Sequence, residues 1–218
     1  MADSALQRKN MVESQVRPSD VTDRRITAAM QEVARETFVP SEAERSLAYM
    51  DGALPVSPSR AMMAPRTLAR LLQLANIEST SKVLVVGALT GYSAVIAARM
   101  AANVVALEAD AALVAAAREN VARAGAANVE VVQGDLAAGY SAGAPYDIVI
   151  LDGAVEEIPE GLAAQIGQGG RLVAIETGAG LGHAIVLAKT GRVLSKRVAF
   201  EAGAPALPGF ARPAGFVF

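Results

Sequence analysis

Hydrophobic positions change their spacing near residue 64, and this change predicts where the main fold begins. Before that point, apolar residues recur at helical spacing between charged ones, at Val21, Ile26, Ala29, Met30 and Val33. The segment 38–41 is expected to end this helix, with Ser41 as the N-cap of another helix, and the prolines favour extended backbone at 54–59. We therefore interpret residues 1–60 as a helical N-terminal segment that packs on the core without forming an independent domain.

The remaining residues, 61–218, alternate between helical and strand patterns and are interpreted as one domain. Pro65 suits a first helical turn, and further helices are predicted at 93–100 and 111–124. Seven apolar runs predict strands at 82–86, 104–107, 129–133, 147–151, 171–175, 185–188 and 193–200. The first runs are continuous, as in strands buried on both faces, so the pattern predicts a right-handed, doubly wound α/β sheet. An ordered loop is expected at 204–210, before a last short strand at 216–218.

The composition excludes several classes of protein. The chain has no cysteine, which excludes disulfide frameworks and thiolate sites, and its single histidine, His183, excludes a multi-histidine metal site, so no metal is expected. A net charge of −2 gives no general attraction to nucleic acid or to an anionic membrane. There is no secretory signal pattern and no uninterrupted apolar run of membrane length, so we expect a soluble, cytoplasmic protein.

Candidate binding residues follow three successive predicted strands. Gly87 and Gly91 lie in the loop after the first strand, where glycine lets backbone N–H groups approach a ligand closely. Glu108 ends the second strand and is placed to accept hydrogen bonds from ribose hydroxyls, and Asp135 follows the third, placed to meet an adenine amino group. The simpler alternative is that Glu108 and Asp135 only cap helices.

Two classes of enzyme share this arrangement: dinucleotide oxidoreductases and S-adenosylmethionine-dependent methyltransferases. The dinucleotide fingerprint requires Gly-x-Gly-x-x-Gly, whereas this chain has Gly87-x-x-x-Gly91. No Gly-x-x-x-x-Gly-Lys-Ser/Thr phosphate loop is present either. The spacing therefore favours a nucleoside without phosphates, such as S-adenosylmethionine, and a nicotinamide oxidoreductase is the less favoured alternative.

An ordered set of motifs along the chain resembles the protein-L-isoaspartate O-methyltransferase family. The motifs are Met11-Val-Glu-Ser-Gln-Val-Arg17, Val33-Ala-Arg-Glu-Thr-Phe-Val-Pro40, Leu47-Ala-Tyr49 with Asp51, Leu54-Pro-Val56, Arg118-Glu-Asn120, Pro145-Tyr-Asp147, Glu157-Ile-Pro159 and Gly169-Gly-Arg-Leu-Val173. The resemblance implies a mostly parallel, seven-stranded sheet of the Rossmann-like class I methyltransferase type. It also implies methyl transfer from S-adenosylmethionine to a carboxylate of damaged aspartyl residues in protein repair. The cofactor would lie against Gly87, Gly91, Glu108 and Asp135, and the partner would be a protein or peptide with isoaspartyl residues.

Two loops depart from the family pattern. The family's Leu-Glu-Ile-Gly-Thr-Gly-Ser-Gly-Tyr loop is similar to 84–92 here, but Val85 replaces its acidic residue and Leu89 its central glycine. The family's acceptor segment, about Gly-Gln-Thr-Ile-Ser-Gln-Pro, aligns with 59–65, which places Ala61 and Met63 where the family has hydroxyls.

The acceptor segment leaves the catalytic residues open, with Ser59 and Arg60 as candidates. A guanidinium at Arg60 can hold a carboxylate bidentately, but the simpler interpretation, a solvated surface arginine, is favoured. Asp152 ends the fourth strand without an assignable role, and a turn explains the glycines around His183. The main alternative function is a catalytically impaired family member that binds a nucleoside or a protein partner.

Overall fold

The computed structural model describes residues 4–178 and 180–212. Seven strands form one sheet in the order β5-β4-β3-β6-β7-β8-β9, and a separate hairpin pairs β1 with β2. The strands are β1 Leu54–Ser57, β2 Arg60–Met62, β3 Lys82–Val86, β4 Asn103–Glu108, β5 Val129–Gln133, β6 Tyr146–Val155, β7 Ile166–Glu176, β8 His183–Thr190 and β9 Val193–Glu201. The sheet is parallel from β5 to β7 and antiparallel at β8 and β9. The predicted doubly wound α/β class is confirmed.

The strand order reverses between β3 and β6. From β3 the chain proceeds outward through β4 and β5, and it then crosses back to place β6 on the other side of β3. In open α/β sheets, ligands bind outside the carboxyl ends of the strands at such a switch point. The glycine loop after β3 and Glu108 at the end of β4 both lie at this edge.

Six α-helices flank the sheet or precede it among the described residues. They are α1 Ser4–Met11, α2 Arg24–Glu32, α3 Pro65–Ala75, α4 Tyr92–Ala98, α5 Ala111–Arg123 and α6 Glu160–Ala163. Met11, Ile26 and Met30 of the N-terminal helices are buried in the same hydrophobic cluster as the leucines of α3. No helix within the described ranges has the length and apolar character needed to cross a bilayer.

The structure corrects two predicted element boundaries. The helix predicted to run to 38 ends at Glu32, and a 3₁₀ turn follows at Arg35–Phe38. Ser41 does not begin the predicted α-helix. The backbone hydrogen bonds of residues 41–48 form turns and the short 3₁₀ segment Arg45–Leu47. The predicted strand at 216–218 lies outside the described residues.

The loop expected at 204–210 runs beside β6. Pro205 accepts a hydrogen bond from the N–H of Ala154 at 2.7 Å, and the N–H of Leu207 donates to the carbonyl of Ala154 at 2.8 Å. Farther along, the carbonyl of Phe210 accepts from the N–H groups of Glu156 and Glu157. We call residues 204–210 the C-terminal segment. It therefore lies at the same edge of the sheet as the glycine loop.

Candidate active site

In the glycine loop that follows β3, every second residue, Gly87, Leu89 and Gly91, has a left-handed backbone conformation with positive φ. Gly87 and Gly91 have φ angles of +79° and +97°, which glycine adopts without a steric penalty. Leu89 has φ +53°, an uncommon conformation for a residue with a branched side chain. Its side chain is buried and lines a small internal cavity rather than facing solvent. Leu89 therefore occupies space beside the loop that the family's glycine would leave open.

Glu108 is the most completely buried carboxylate at this edge. Its side chain is 0% exposed and accepts hydrogen bonds from the backbone N–H groups of Leu89, Ala109 and Asp110, at 2.9, 2.8 and 3.2 Å. The N-cap of α5 is Asp110, whose carboxylate accepts from the first helical N–H groups. Glu108 is therefore not the helix cap that the simpler interpretation proposed.

Arg60 forms a two-pronged ion pair with Glu108. Its Nη1 donates to Oε1 at 2.8 Å and its Nη2 donates to Oε2 at 3.1 Å, and Nη2 also lies 3.3 Å from the carbonyl oxygen of Gly87. The arginine side chain is 6% exposed. The interpretation of Arg60 as a solvated surface residue was therefore wrong. The β1–β2 hairpin turns this side chain inward over the glycine loop, a contact across 48 residues that local patterns do not show.

Leu207 lies directly against the glycine loop. A Cβ atom placed on Gly87 would come within 2.4 Å of a Leu207 methyl group, and one placed on Gly153 of β6 would come within 2.6 Å of its Cγ. Glycine at both positions is thus required by this side chain. Leu207 is buried with Phe210 in the hydrophobic cluster on one face of the sheet. Sequence reasoning missed Leu207, since its only signal was a position in a proline-rich loop.

Asp135 lies at the far end of the C-terminal segment. It is exposed, and its Oδ1 accepts from the N–H of Ala137 at 2.9 Å, which closes a turn. A Cβ on Gly209 would lie 4.0 Å from this oxygen. Leu207 of the C-terminal segment thus contacts the loop at Gly87, and Gly209 of the same segment lies beside Asp135, so the segment runs alongside both of these predicted cofactor-binding residues.

The acceptor-segment candidates separate in space. Ser59 is exposed in the turn between β1 and β2, whereas Arg60 points inward. Ala61 is half-buried and Met63 is buried, with the Met63 carbonyl accepting from Nη2 of Arg35 at 2.8 Å. The structure thus does not bring Ser59 and Arg60 together.

A cavity of about 10 Å³ lies behind the glycine loop, lined in part by Leu89, Met63, Ser93 and Asp152. The buried hydroxyls of Tyr92 and Ser93 reach no partner at good hydrogen-bond geometry among the described residues, and the Ser93 hydroxyl lies close to Asp152. Burial raises the pKa of Asp152 to about 6, opposed by the Ser93 hydroxyl and by the charges of two buried arginines. This space is just large enough for one water molecule.

A wider groove of about 620 Å³ opens beside α3 and the end of β9. Its charged lining residues include Asp51, Arg66 and Arg70. Arg66 pairs with Asp51 at 3.2 Å, and the guanidinium of Arg70 stacks 3.6 Å above the ring of Phe200. Ala64, at the end of the acceptor segment, also lines this groove. His183 opens β8 opposite Glu176 and Glu201 in the sheet register and does not line it.

S-adenosylmethionine does not fit among these residues as they are arranged. Leu207 covers the loop glycine, and the acceptor capacity of Glu108 is filled by the arginine and three backbone N–H groups. A carboxylate offers about four lone-pair directions, so no acceptor is left for a ribose hydroxyl.

Comparison with known proteins gives one consistent family. Residues 6–193 match the family described as Protein-L-isoaspartate(D-aspartate) O-methyltransferase. The chain is 42% identical over 168 residues to a protein-L-isoaspartate O-methyltransferase of Methanoculleus marisnigri, covering 77% of this chain and 76% of that protein. It is 39% identical over 185 residues to the Methanoregula boonei protein of the same name, covering 85% of each.

Solved structures agree with the fold. A protein-L-isoaspartate O-methyltransferase superposes with a TM-score of 0.81 at 24% identity, covering 93% of this chain and 66% of that one, slightly under two thirds of its length. Another, from Plasmodium falciparum in complex with S-adenosyl-L-homocysteine, gives a TM-score of 0.77 at 19% identity, covering 92% and 97%. The chain therefore belongs to the protein-L-isoaspartate O-methyltransferase family, S-adenosylmethionine-dependent enzymes that methylate carboxyl groups of protein substrates.

Proposed function

We propose that this protein transfers the methyl group of S-adenosylmethionine to the carboxylate of isoaspartyl residues in damaged proteins, as a step in protein repair. The observation that carries the proposal is the position of Glu108, buried beside a glycine loop at the switch point of a sheet. The family match extends through both elements. It does not favour the alternative of an impaired family member.

Within this proposal, four residues hold the cofactor. Gly87 and Gly91 allow a close backbone approach, Glu108 accepts from the ribose hydroxyls, and Asp135 receives the adenine amino group. Gly87 and Glu108 lie together at this edge, where the Leu89 N–H donates to the Glu108 carboxylate. Both take up these roles once Leu207 and Arg60 have moved away from them. Asp135 is exposed and accessible to a ligand.

The protein substrate is proposed to lie in the groove beside α3. An ionised carboxylate needs no general base, so the protein's task on this side is to hold and orient the acceptor. The groove is lined by the cations Arg66 and Arg70 together with the carboxylates of Asp20, Asp51 and Glu201. We propose that one of the two guanidinium groups holds the isoaspartyl carboxylate. Because Ala61 and Met63 carry no hydroxyl, orientation is assigned to groove residues rather than to the acceptor segment.

Location and organisation are also proposals. We propose a cytoplasmic location, which agrees with the absence of cysteine. We also propose that the binding partner is a polypeptide and neither a nucleic acid nor a membrane, which agrees with the small net charge. We also propose that residues 1–60 act with 61–218 as one unit, since Ile26 and Met30 share the core cluster of α3.

The test is methyl transfer to a synthetic peptide. Purified protein is incubated with isotopically labelled methyl donor and an isoaspartyl peptide, and base-labile methyl ester is measured. The matched control is the same peptide with a normal aspartyl residue. We expect label only in the isoaspartyl peptide, and a raised KM for the donor in Asp135→Asn. A folded protein that binds S-adenosylhomocysteine but labels no isoaspartyl peptide overturns the proposed function.

A further inference from the structure

We propose that Arg60 and Leu207 form a displaceable closure of the cofactor site, so that the nucleoside binds only when the C-terminal segment moves away from the glycine loop and the Arg60 side chain leaves Glu108. This inference rests on the proposed function, because it assigns the closed space to a nucleoside cofactor. It makes cofactor binding compete with two of the chain's own side chains.

The first competition is at Glu108. Arg60 presents two N–H donors to the two carboxylate oxygens, at 2.8 and 3.1 Å. The two hydroxyls of a ribose require acceptors of the same kind and number. Arg60 and the nucleoside therefore cannot both be bound to this carboxylate.

Burial makes this exchange a switch between two partners. Glu108 is 0% exposed, and a buried carboxylate left without a partner is strongly unfavourable. If Arg60 leaves, the three backbone N–H groups stay on Glu108, and about one of its four lone-pair directions becomes free to accept from a ribose hydroxyl. At the same time the Arg60 guanidinium becomes exposed to water and is hydrated.

The second competition is at the glycine loop. Leu207 fills the space above both Gly87 and Gly153, where a Cβ atom would lie within 2.4 and 2.6 Å of its side chain. Glycine at these positions allows another group to approach the backbone closely, and in this structure the group in that space is the Leu207 side chain. The segment continues to Gly209 beside Asp135, so its movement uncovers the side of the site formed by the glycine loop. Arg60 lies on β2 and not on this segment, so its side chain leaves Glu108 by a separate movement.

The attachment of the segment allows such a movement. It follows β9 and contributes no strand to the sheet beyond the isolated bridge between Ala154 and Ala206. Leu207 and Phe210 are its two buried side chains, while Pro208 and Gly209 are exposed. Releasing it breaks the four backbone hydrogen bonds to Ala154, Glu156 and Glu157 and exposes Leu207 and Phe210, but it leaves all seven strands paired.

Calorimetric titration with S-adenosylhomocysteine tests the proposal. Leu207→Ala removes the side chain from the loop, and Arg60→Gln frees Glu108 while installing the residue of the family pattern. If the open form is about 10% of the population, either variant should lower Kd by up to about tenfold. Leu187→Ala, a leucine packed on the same cluster from β8, and Arg25→Gln, which breaks the Arg25–Asp23 pair, should leave Kd unchanged.

Thermal unfolding shows which variants are folded, and hydrogen exchange gives a second readout. Saturating S-adenosylhomocysteine should speed exchange of the Ala154 and Leu207 amides, which bond the segment to β6, while slowing exchange in the glycine loop. The closure is overturned if folded Leu207→Ala and Arg60→Gln bind no more tightly than the wild type, or if ligand protects both amides. If the variants bind more tightly but methylate no isoaspartyl peptide, the closure stands and the proposed function fails.

Discussion

The two halves of the proposed reaction site differ in how they are filled. At the carboxyl edge of β3 and β4, Glu108 is fully buried, its oxygens are all paired, and Leu207 covers the loop glycine. Beside α3, a groove of about 620 Å³ is open, and its charged side chains pair weakly at the surface. The acceptor half is thus accessible while the cofactor half is closed by the chain itself. An arginine–carboxylate pair is therefore expected to contribute very differently to stability when buried, as in Arg60–Glu108, and when at the surface, as in Arg66–Asp51.

The largest expected effect is at the closed half. Glu108→Gln leaves the buried Arg60 guanidinium without its counter-charge, and breaking a buried pair in this way costs about 3–5 kcal/mol. Urea unfolding measures the loss. The matched control is Glu176→Gln, which removes an exposed partner of Lys196 and should cost no more than about 1 kcal/mol. Equal losses in the two variants would contradict the contrast between the buried and the surface pair.

The next largest effect on the free energy of unfolding is expected for Leu207→Ala. Deleting a buried leucine costs about 2–5 kcal/mol, at the lower end where the site can collapse, as an edge segment can. Urea unfolding of this variant should therefore show lower stability together with tighter nucleoside binding. A variant that loses stability and also loses nucleoside affinity would argue that Leu207 supports the site instead of closing it.

Asp152 gives a pH-dependent effect of intermediate size. Burial raises its folded pKa from 3.8 to about 6, so between these values the folded state binds more protons than the unfolded state. Stability therefore falls as pH rises through this window. Asp152→Asn should remove that fall and add at most about 3 kcal/mol at pH 7. Unfolding free energies measured at pH 4 and pH 7 check it, and parallel profiles for variant and wild type would refute it.

The smallest effect on stability is expected at the open half. Arg66→Gln breaks an exposed pair with Asp51 and should change unfolding free energy by less than about 1 kcal/mol. If the groove holds the acceptor, the same variant should raise KM for an acidic isoaspartyl peptide with little change in kcat. The control is a neutral isoaspartyl peptide, whose KM should shift less. An unchanged KM for both peptides would remove Arg66 from the acceptor site.

Local pattern was enough to predict much of the site's frame. The apolar runs placed the seven strands, and the spacing from Gly87 to Glu108 placed both at one edge of the sheet. It failed for Arg60, because a charged residue in a proline-rich stretch looks like a surface position. Only the pairing of β1 with β2 shows that its side chain turns inward to a carboxylate 48 residues later.

The sequence by itself determined the fold class, the family and the positions of the loop glycines and of Glu108, because hydrophobic periodicity and strand-end motifs are local properties. The tertiary structure decided what those residues contact. Leu207 meets Gly87, and Arg60 meets Glu108, through the return of distant segments to the same edge. Such contacts depend on chain topology and on the mutual exclusion of side chains in a small volume, which no local spacing encodes.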